Sequence, residues 1–360
     1  MLTGGSFKLF SVAGTVVRIH PTFFLLLAWI ATVYWRKGGS SEAVYGVVFI
    51  AILFVCVVLH EFGHIFMARR YGIKTPDVTL LPIGGVASLE RMPEKPGQEI
   101  MVALAGPAVN LVIAALLLIP LGGQIDIEKL NKIQHAPVDL LSQVAFANIA
   151  LFVFNLIPAF PMDGGRVLRA VLAFKMDYTR ATRTAATVGQ VLAVLFGVLG
   201  LHGSPFLILI ALFIFIAAAG EAGYVETRAL TLGYRAKDAM ISTYETLRAD
   251  EDLDAAAKKL LQTTQQEFPI VDASGQLHGV LTRENLIVGL SDKGGTTPVV
   301  DAMTADVPTV NGEENLANVF EMLQRQKMPV VAVVDEGHRL VGYINSENLA
   351  ELMMIGTSRQ

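Results

Sequence analysis

The stretch VLHEFGHIFMARR, residues 58–70, places two histidines and one glutamate in a strongly apolar run. Between Ala43 and Ala68, Glu61 is the only Asp, Glu, Lys or Arg. On an α-helix, His60 and His64 lie on one face, about 6 Å apart along the axis. Both imidazoles can then bind one metal ion, and Glu61, rotated by about 100°, can reach a water molecule on that ion. The spacing therefore predicts a metal site with a general base beside it.

Zinc is the metal that this combination of side chains suits. Zinc takes imidazole and carboxylate ligands, and a catalytic site leaves one position open for water. The ion lowers the pKa of that water toward about 7, so that a glutamate can take its proton and an amide carbonyl can be attacked. The alternative is a helix-packing or ion-pair role. Three polar side chains are costly in an apolar span, however, and by default they indicate function.

A third metal ligand is expected from FNLIPAFPMDGGRVLRA, residues 154–170. Asp163 is the one acidic residue that adjoins the fourth apolar run. The two prolines before it break a helix, and the Gly164–Gly165 pair permits tight turns. The segment can thus fold back so that Asp163 faces the same metal as His60 and His64. Taken alone, Asp163 could equally be the N-cap of a helix at the membrane interface.

Apolar runs long enough to cross a membrane surround these residues. The chain has 360 residues, of which 53% are hydrophobic and 17% charged, and its mean hydropathy is +0.52. Soluble proteins carry about a quarter charged residues, and a bilayer crossing needs about 20 apolar ones. The last run contains the turn-forming GLHGSP and is long enough for two crossings. Six spans are therefore predicted from the runs 19–35, 43–59 (continuing to 68), 100–124, 140–162 and 184–220.

The charged residues indicate the orientation of these spans. Lys and Arg prefer cytoplasmic loops, and most of them fall in internal loops if the N-terminus is inside, including Arg69, Arg70, Lys74, Arg180 and Arg183. We expect a multi-pass protein of a prokaryotic cell membrane with cytoplasmic termini and no removable signal peptide. A net charge of -4 gives no reason to expect nucleic acid as a partner. The single cysteine excludes an internal disulfide.

After about residue 223 the composition becomes that of a soluble α/β domain, and the chain repeats itself. KDAM at 237–240 recurs as VDAM at 300–303, and GVLTRENL at 279–286 recurs as GYINSENL at 342–349, with the same separation. A fixed separation indicates a structural repeat. Each copy reads as β-α-β-β-α. We expect a membrane domain at 1–225 and a soluble domain at 226–360, with copies at about 236–290 and 299–353.

The repeat resembles a pair of CBS domains, regulatory modules that pack as a pseudo-symmetric unit. The resemblance implies a cleft that binds an adenine nucleotide, with Thr or Ser and an Asp after the second strand of each copy. The matching residues here are Thr282 and Asn285, then Asn345 and Asn348. Asn can hydrogen-bond a hydroxyl but lacks the strength that a carboxylate's charge adds. Two roles stay open, an adenine-nucleotide sensor and a docking module that makes the protein a homodimer.

The membrane part resembles the site-2 protease family of intramembrane metalloproteases. It carries HEFGH in the second span, AGPAVN at 105–110 in the third and NLIPAFPMDGG at 155–165 in the fourth. By that resemblance the two histidines and Asp163 bind one zinc ion per chain, and Glu61 is the catalytic base. Asn155 would stabilise the substrate or the developing oxyanion, a role that its amide can fill.

Residues 73–90, IKTPDVTLLPIGGVASLE, are too short and too broken to span a membrane. They predict a β-hairpin at the membrane face, which is tolerated where protein or a wet cavity covers it. An exposed edge strand can pair with an extended substrate, so a substrate clamp at Gly84 and Gly85 is expected, with an inert surface loop as the alternative. The fold class is thus a polytopic α-helical membrane protein with six transmembrane helices, a membrane-associated β-hairpin and a cytoplasmic α/β CBS-pair domain.

The main functional hypothesis is a zinc-dependent intramembrane endopeptidase. It would cleave transmembrane segments of single-span proteins near the cytoplasmic side, as in regulated intramembrane proteolysis. Its substrate would be an anti-sigma factor or a similar membrane-tethered regulator. One alternative is a CBS-regulated membrane ion transporter, but transport needs no glutamate between the histidines, and the spans show no repeated halves. The other is an inactive scaffold, against which the intact His60, Glu61, His64 and Asp163 argue.

Overall fold

The computed structural model describes residues 6–82, 84–87, 92–122, 137–326 and 328–357. It divides into two compact units, Met1–Ala222 and Gly223–Gln360. The elements that begin in the first unit are β1 Phe7–Val12, β2 Thr15–Ile19, α1 Thr22–Gly38, α2 Ser40–Arg70, β3 Asp77–Leu81, β4 Gly84–Ala87, α3 Pro96–Leu118, α4 Pro137–Asn155, α5 Asp163–Leu172, α6 Tyr178–Leu201 and α7 Pro205–Thr231.

The elements of the second unit after α7 are α8 Ala236–Ala239, β5 Leu247–Arg248, α9 Leu253–Gln262, β6 Glu267–Val271, β7 Leu277–Thr282, α10 Arg283–Lys293, β8 Thr309–Asn311, α11 Leu316–Gln326, β9 Val330–Val334, β10 Leu340–Asn345 and α12 Ser346–Thr357.

Among the described residues, four helices are long and apolar enough to cross a bilayer. They are α2, α3 with the 3-10 turn that extends it to Leu121, α6 and α7, with 31, 26, 24 and 27 residues. Large apolar side chains lie exposed on their surfaces, for example Val194 and Leu209. Helices that are apolar on every side are typical of membrane spans. The chain is therefore an integral membrane protein.

The first and fourth predicted spans form shorter helices, α1 with 17 residues and α4 with 19. Ile19 lies in β2 rather than in the first helix, because it continues the strand alternation that begins at Thr15. The fourth helix ends at Asn155 rather than at Met162, because two prolines interrupt the segment before α5. The break between α6 and α7 falls at 202–204, within the predicted turn.

A four-stranded sheet in the order β1-β2-β3-β4 packs on the membrane helices. Strands β2 and β3 are parallel, and the other two pairings are antiparallel. The β3–β4 hairpin pairs Leu81 with Gly84 next to its turn. Val78 and Leu80 of β3 share an apolar core with Phe62 and Ile65 of α2. This packing holds the hairpin against the helix that carries the two histidines and Glu61.

In the second unit, the two repeats have the same topology. The first sheet has the order β5-β6-β7 and the second β10-β9-β8, and each repeat pairs its first two strands in parallel and its last two antiparallel. Each repeat has the predicted β-α-β-β-α order. The segments that precede the repeats cross over, however. Ala236 and Ala239 pack in the core of the second repeat, and Val299 packs in the core of the first.

Candidate functional site

Three ligand atoms predicted for a metal meet in the first unit. The Nε2 atoms of His60 and His64 lie 3.1 Å apart, and the Oδ2 atom of Asp163 lies 3.3 Å and 3.2 Å from them. All three residues are buried. Their ligand atoms all lie within 4.8 Å of one another, and among the described residues this is the one cluster of His, Cys, Asp or Glu side chains that could hold a metal ion. Helix α2 supplies both histidines and the first turn of α5 supplies Asp163.

Hydrogen bonds fix the orientation of both imidazoles. His60 donates from Nδ1 to Asn110 Oδ1 over 2.9 Å, and His64 donates from Nδ1 to the Val102 carbonyl oxygen over 2.8 Å. With the proton on Nδ1, each Nε2 presents a lone pair. Helix α3 supplies both acceptors, so it orients the ligands that α2 carries. Such partners outside the coordination sphere fix the tautomer and strengthen the ligand.

The donor set fits zinc by its chemistry and its dimensions. Two imidazole lone pairs and a carboxylate oxygen face one another, and a cation between them removes their repulsion. Ligand atoms in a tetrahedral zinc site, with bonds of about 2.0–2.1 Å, lie roughly 3.3–3.4 Å apart. The observed separations of 3.1, 3.3 and 3.2 Å are close to that edge length. His60, His64 and Asp163 are therefore the residues that would hold zinc.

A glycine of α3 leaves the space that such an ion needs. A Cβ atom at Gly106 would overlap the Nε2 atoms of both His60 and His64. Any other residue at this position would place its side chain at the ligand face of the two imidazoles. Gly106 and Asn110 both lie in the sequence AGPAVN, so this turn of α3 both clears the site and orients a ligand.

The segment between α4 and α5 brings Asp163 to the histidines. Asp163 is the first residue of α5, where the helix dipole favours a carboxylate. Its Oδ2 atom faces the imidazoles, while Oδ1 lies 3.7 Å from Arg166 Nη1 one turn later. Arg166 thus neutralises the oxygen that faces away from the imidazoles.

A buried ionic junction fixes α5 behind Asp163. Arg169 is 1% exposed; its Nε donates to Glu99 Oε1 over 2.7 Å and its Nη1 to Glu221 Oε1 over 2.6 Å. The guanidinium also lies over the rings of Phe160 and Tyr178. Glu99 belongs to α3 and Glu221 to α7, so one side chain joins three helices. Because Glu99 is fully buried, each charge depends on its partner.

The β3–β4 hairpin reaches Glu61, the predicted base. A Cβ atom at Gly85 would stand 2.9 Å from Glu61 Cγ and 3.3 Å from Glu61 Oε1. Only a glycine at this position allows the strand to lie so close to the glutamate. In the described part of the sheet, β4 pairs with β3 alone and is an edge strand. The two glycines predicted as a clamp, Gly84 and Gly85, therefore open β4 directly beside the predicted base. Ile83 and residues 88–90 of the predicted hairpin lie outside the described residues.

Asn155 is the last residue of α4 and is half-buried. It stands where the helix gives way to the irregular segment that leads to Asp163. Its expected role toward the substrate stays a prediction.

A second candidate site is a cavity of about 550 Å³ between the two repeats, into which Asn345 and Asn348 project. The Asn345 side chain accepts a hydrogen bond from the backbone amide of Asn348 over 2.8 Å and donates one to Glu267 Oε2 over 3.0 Å. Burial raises the pKa of the Glu267 carboxyl above its ordinary value. Among the described residues, the lining contains four glutamates and neither lysine nor arginine: Glu245, Glu267, Glu347 and Glu351.

The other predicted pair, Thr282 and Asn285, lies outside the lining of this cavity. Thr282 caps α10 by accepting the amide of Asn285 over 3.1 Å, and the Asn285 side chain donates to Thr304 Oγ1 over 3.2 Å. Both contacts are those of a helix cap and its neighbour. Their predicted role in nucleotide binding stays a prediction.

Sequence reasoning did not assign roles to Asn110, Gly106, Arg166, Arg169 or Glu99. The sequence signal for two of them is visible in retrospect. Asn110 is a polar residue within a charge-free apolar run, which by default indicates function. Glu99 is the acidic residue immediately before the same run. The partners of both residues lie on other helices, so only the folded chain identifies them.

Comparisons with known proteins identify the family and the domains of this chain. A family model described as Peptidase family M50 matches residues 48–121 and 118–196, and the CBS domain model matches residues 236–292 and 299–355. A zinc metalloprotease of Methanocaldococcus jannaschii is 33% identical over 97% of this chain and 96% of that protein. The protein named Rip3 of Mycobacterium tuberculosis is 30% identical over 95% of this chain and 91% of that protein.

The solved structure of a site-2 protease from Methanocaldococcus jannaschii has 38% sequence identity and a TM-score of 0.46, covering 60% of this chain and 95% of that chain. The sequence similarity to the first relative extends over nearly the whole chain. The chain therefore belongs to peptidase family M50, the site-2 protease family of zinc metalloendopeptidases, and carries two CBS domains.

Proposed function

We propose that this metalloendopeptidase cleaves transmembrane segments of single-span membrane proteins near the cytoplasmic face of the membrane. The observation that carries the proposal is the convergence of His60, His64 and Asp163 beside Glu61 within an otherwise apolar helix. A soluble substrate would have to enter an apolar region to reach this site, whereas a membrane-embedded segment can reach it without leaving the bilayer.

The residues of the site have distinct roles in this proposal. His60, His64 and Asp163 hold one zinc ion, which when bound supplies Lewis acidity for amide hydrolysis. Glu61 acts as general base, since it lies one residue from a ligand and its carboxylate lies close to β4. Asn155 donates its side-chain amide to the substrate carbonyl as negative charge develops there.

We infer a topology of six spans, with α1 and α4 as the first and fourth. Both are short for a straight crossing, but a short apolar helix can be accommodated by local thinning of the bilayer. The excess of basic residues in the loops supports cytoplasmic termini and a cytoplasmic CBS pair, at a prokaryotic cell membrane. The β3–β4 hairpin then lies at the membrane face, covered by α1 and α2.

The edge strand β4 is the proposed substrate clamp. The scissile amide of a transmembrane helix is occupied by its own hydrogen bonds, so the helix must unwind before cleavage. Pairing with β4 replaces the lost bonds, each worth about 1 kcal/mol net. The clamp acts at the right place because Gly85 contacts Glu61. A helix-breaking residue near the cleavage point of the substrate should therefore increase the rate of cleavage.

We propose that the CBS pair regulates the protease or joins two copies into a homodimer. The cavity that contains Asn345 and Asn348 is its ligand site in the first case, with an adenine nucleotide as the expected class of ligand. Its four glutamates repel phosphate groups, so binding of a nucleotide would depend mainly on its adenosine part.

The proposed substrate class of the protease is a membrane-tethered regulator such as an anti-sigma factor.

Co-expression with candidate single-span proteins tests the proposal. Each candidate is compared with wild type and with Glu61→Gln, which removes the base but keeps the metal ligands. Processing should stop in the variant, while metal analysis should still find about one zinc ion per chain. If every processed candidate is still cleaved in the Glu61→Gln cells, the protease assignment to this site is wrong.

A further inference from the structure

An apolar groove lies between α2, α4 and the β3–β4 hairpin. Its volume is about 890 Å³, and its lining includes Tyr45, Leu53, Val57, Gly84, Ala150 and Phe154. None of the side chains that line it in the described part of the chain is acidic or basic. Sites for small polar ligands usually contain a few convergent polar groups on an apolar lining. A groove this apolar favours an uncharged, apolar occupant.

The dimensions of the groove fit a stretch of helix. On α2 its lining runs from Tyr45 to Val57, and on α4 it runs from Gln143 to Phe154. At 1.5 Å per residue, these stretches are about 18 Å and about 16 Å long. The groove thus follows both helices for a little more than half of the apolar thickness of a bilayer, which is about 30 Å.

One end of the groove opens at the catalytic residues. Val57 precedes Glu61 by one helical turn, and Gly84 adjoins Gly85, which lies against the Glu61 side chain. The polar members of the lining on α2 and α4, Tyr45 and Gln143, lie toward the opposite end. An occupant that follows the groove therefore reaches β4 and Glu61 at one end only.

Small side chains allow a helix to approach closely. Ala147 and Ala150, three residues apart on α4, both line the groove. Helices associate in membranes chiefly by close packing at small residues, because apolar burial itself gives little gain in lipid. The hairpin edge next to them then receives the part of the chain that unwinds.

We propose that this groove is the docking site for the transmembrane helix of the substrate, which lies between α2 and α4 and passes its unwound end to β4. The inference rests on the proposed function and adds where the substrate helix sits and what selects it. An uncharged helix with small residues on one face fits best. A charge in its middle would have no partner in the lining.

Photo-cross-linking tests the location directly. The Glu61→Gln protein carries p-benzoylphenylalanine at Leu53, inside the groove, or at Val55, an exposed position on α2 outside it. The probe is a single-span reporter with an alternating Leu and Ala helix of about 20 residues and an Asn-Pro pair in its cytoplasmic third. Cross-links to the reporter should form at Leu53 in clear excess over Val55. Equal labelling at both positions, or labelling at Leu53 of lipid alone, overturns the inference.

A matched pair of tryptophan substitutions tests the consequence for cleavage. Ala150→Trp fills the groove, whereas Ala51→Trp adds the same bulk to an exposed position on α2 outside its lining. Ala150→Trp should lower kcat/KM for the reporter by about tenfold or more, mainly through KM, while zinc content stays normal. Ala51→Trp should cleave like wild type. Equal kcat/KM for both variants contradicts the groove.

The two arms also separate this inference from the proposed function. A wild-type protein that binds zinc but cleaves no single-span protein, including the reporter, contradicts the proposed function. The cross-linking arm needs no cleavage, so it still decides whether a helix occupies the groove. Cleavage of the reporter with no preference for Leu53 contradicts the groove and leaves the protease assignment intact.

Discussion

At the scale of single residues, the site depends on groups that are not themselves ligands or bases. Asn110 and the Val102 carbonyl set the tautomers of the two histidines, and Gly106 leaves room between them. All three lie on α3, which contributes no ligand. The metal site is therefore prepared by a helix whose importance is not visible from the HEFGH motif.

Asn110→Leu should weaken zinc binding by about 10- to 100-fold, because His60 loses the acceptor that keeps its proton on Nδ1. Asn110→Asp retains an acceptor at the same place and should bind zinc nearly as wild type does. Competition with a chelator of known affinity measures both variants. Unchanged affinity in the leucine variant would show that the bond to Asn110 does not orient His60.

Gly106→Ala should abolish or greatly weaken zinc binding, because the added methyl group stands against both Nε2 atoms. Gly97→Ala is the matched control in the same helix, since a Cβ there meets nothing within 4 Å. Replacing Gly97 should be neutral or slightly stabilising. Metal analysis of the purified variants, with circular dichroism to confirm folding, distinguishes the two. Normal zinc content in Gly106→Ala would refute the role of this glycine.

At the scale of the elements, two connections position the site. The hairpin is held on α2 by a shared apolar core, and α5 is held to α3 and α7 by Arg169. The first places an edge strand at Glu61, and the second fixes the helix that begins with Asp163. Neither connection involves residues close together in the sequence.

Arg169→Met should destabilise the membrane domain by about 3 kcal/mol or more, because it leaves Glu99 buried without a partner. The double variant Arg169→Met, Glu99→Gln should recover much of that loss. Arg180→Met is the control, since the Arg180–Asp177 pair is exposed and such pairs contribute little. Thermal unfolding in detergent measures all three. A single variant as stable as wild type would mean that the junction does not hold α5 in place.

Proline substitutions test β4, one at a time at Val86 and Ala87, because a side chain at Gly85 would meet Glu61 and Gly84 has a positive φ that proline cannot adopt. Only every second amide of a strand faces a given partner. A substitution at a position whose amide faces the substrate should impair cleavage without lowering the melting temperature. A substitution at a position whose amide faces β3 should lower the melting temperature, since it removes a bond to β3. Zinc content should stay normal throughout. Wild-type cleavage in every variant would exclude the hairpin as the clamp.

At the scale of the whole molecule, the second unit has a complete core of its own. The two repeats exchange their leading segments, since Ala236 and Ala239 complete the second core and Val299 completes the first. Tyr224 and Tyr234 also pack on the second core, so this core begins before the first repeat.

A fragment that starts at Gly223 should therefore be soluble and unfold in one cooperative transition. A fragment that starts at Arg235 should melt at a lower temperature, because it lacks Tyr224 and Tyr234. The first repeat alone, residues 236–292, should not fold cooperatively, because Val299 is missing from its core. Scanning calorimetry measures the three fragments, and a stable single repeat would refute the exchange.

Added adenine nucleotides should raise the melting temperature if the cavity is a nucleotide site. No shift with any of them would leave docking as the surviving role.

The sequence by itself determined which residue types are available for the chemistry and which helices and repeated segments carry them. The HEFGH spacing gave the helix face with two imidazoles, the prolines before Asp163 predicted the break after the fourth helix, and the fixed separation of the KDAM and VDAM segments predicted two similar copies. These features depend on local geometry, the helical period and the loss of amide donors at proline, so they can be read from neighbouring residues.

Tertiary structure alone decided which distant groups meet. The bonds from His60 to Asn110 and from Arg169 to Glu99 and Glu221 each join residues more than 45 positions apart. The contact between Gly85 and Glu61 and the crossed cores of the repeats are of the same kind. No local period specifies such pairs, because they follow from how whole helices and strands pack against one another. The apolar runs predicted membrane helices, but only their packing determined that α2 and α4 leave a groove whose lining reaches Val57 and Gly84, next to the predicted base Glu61.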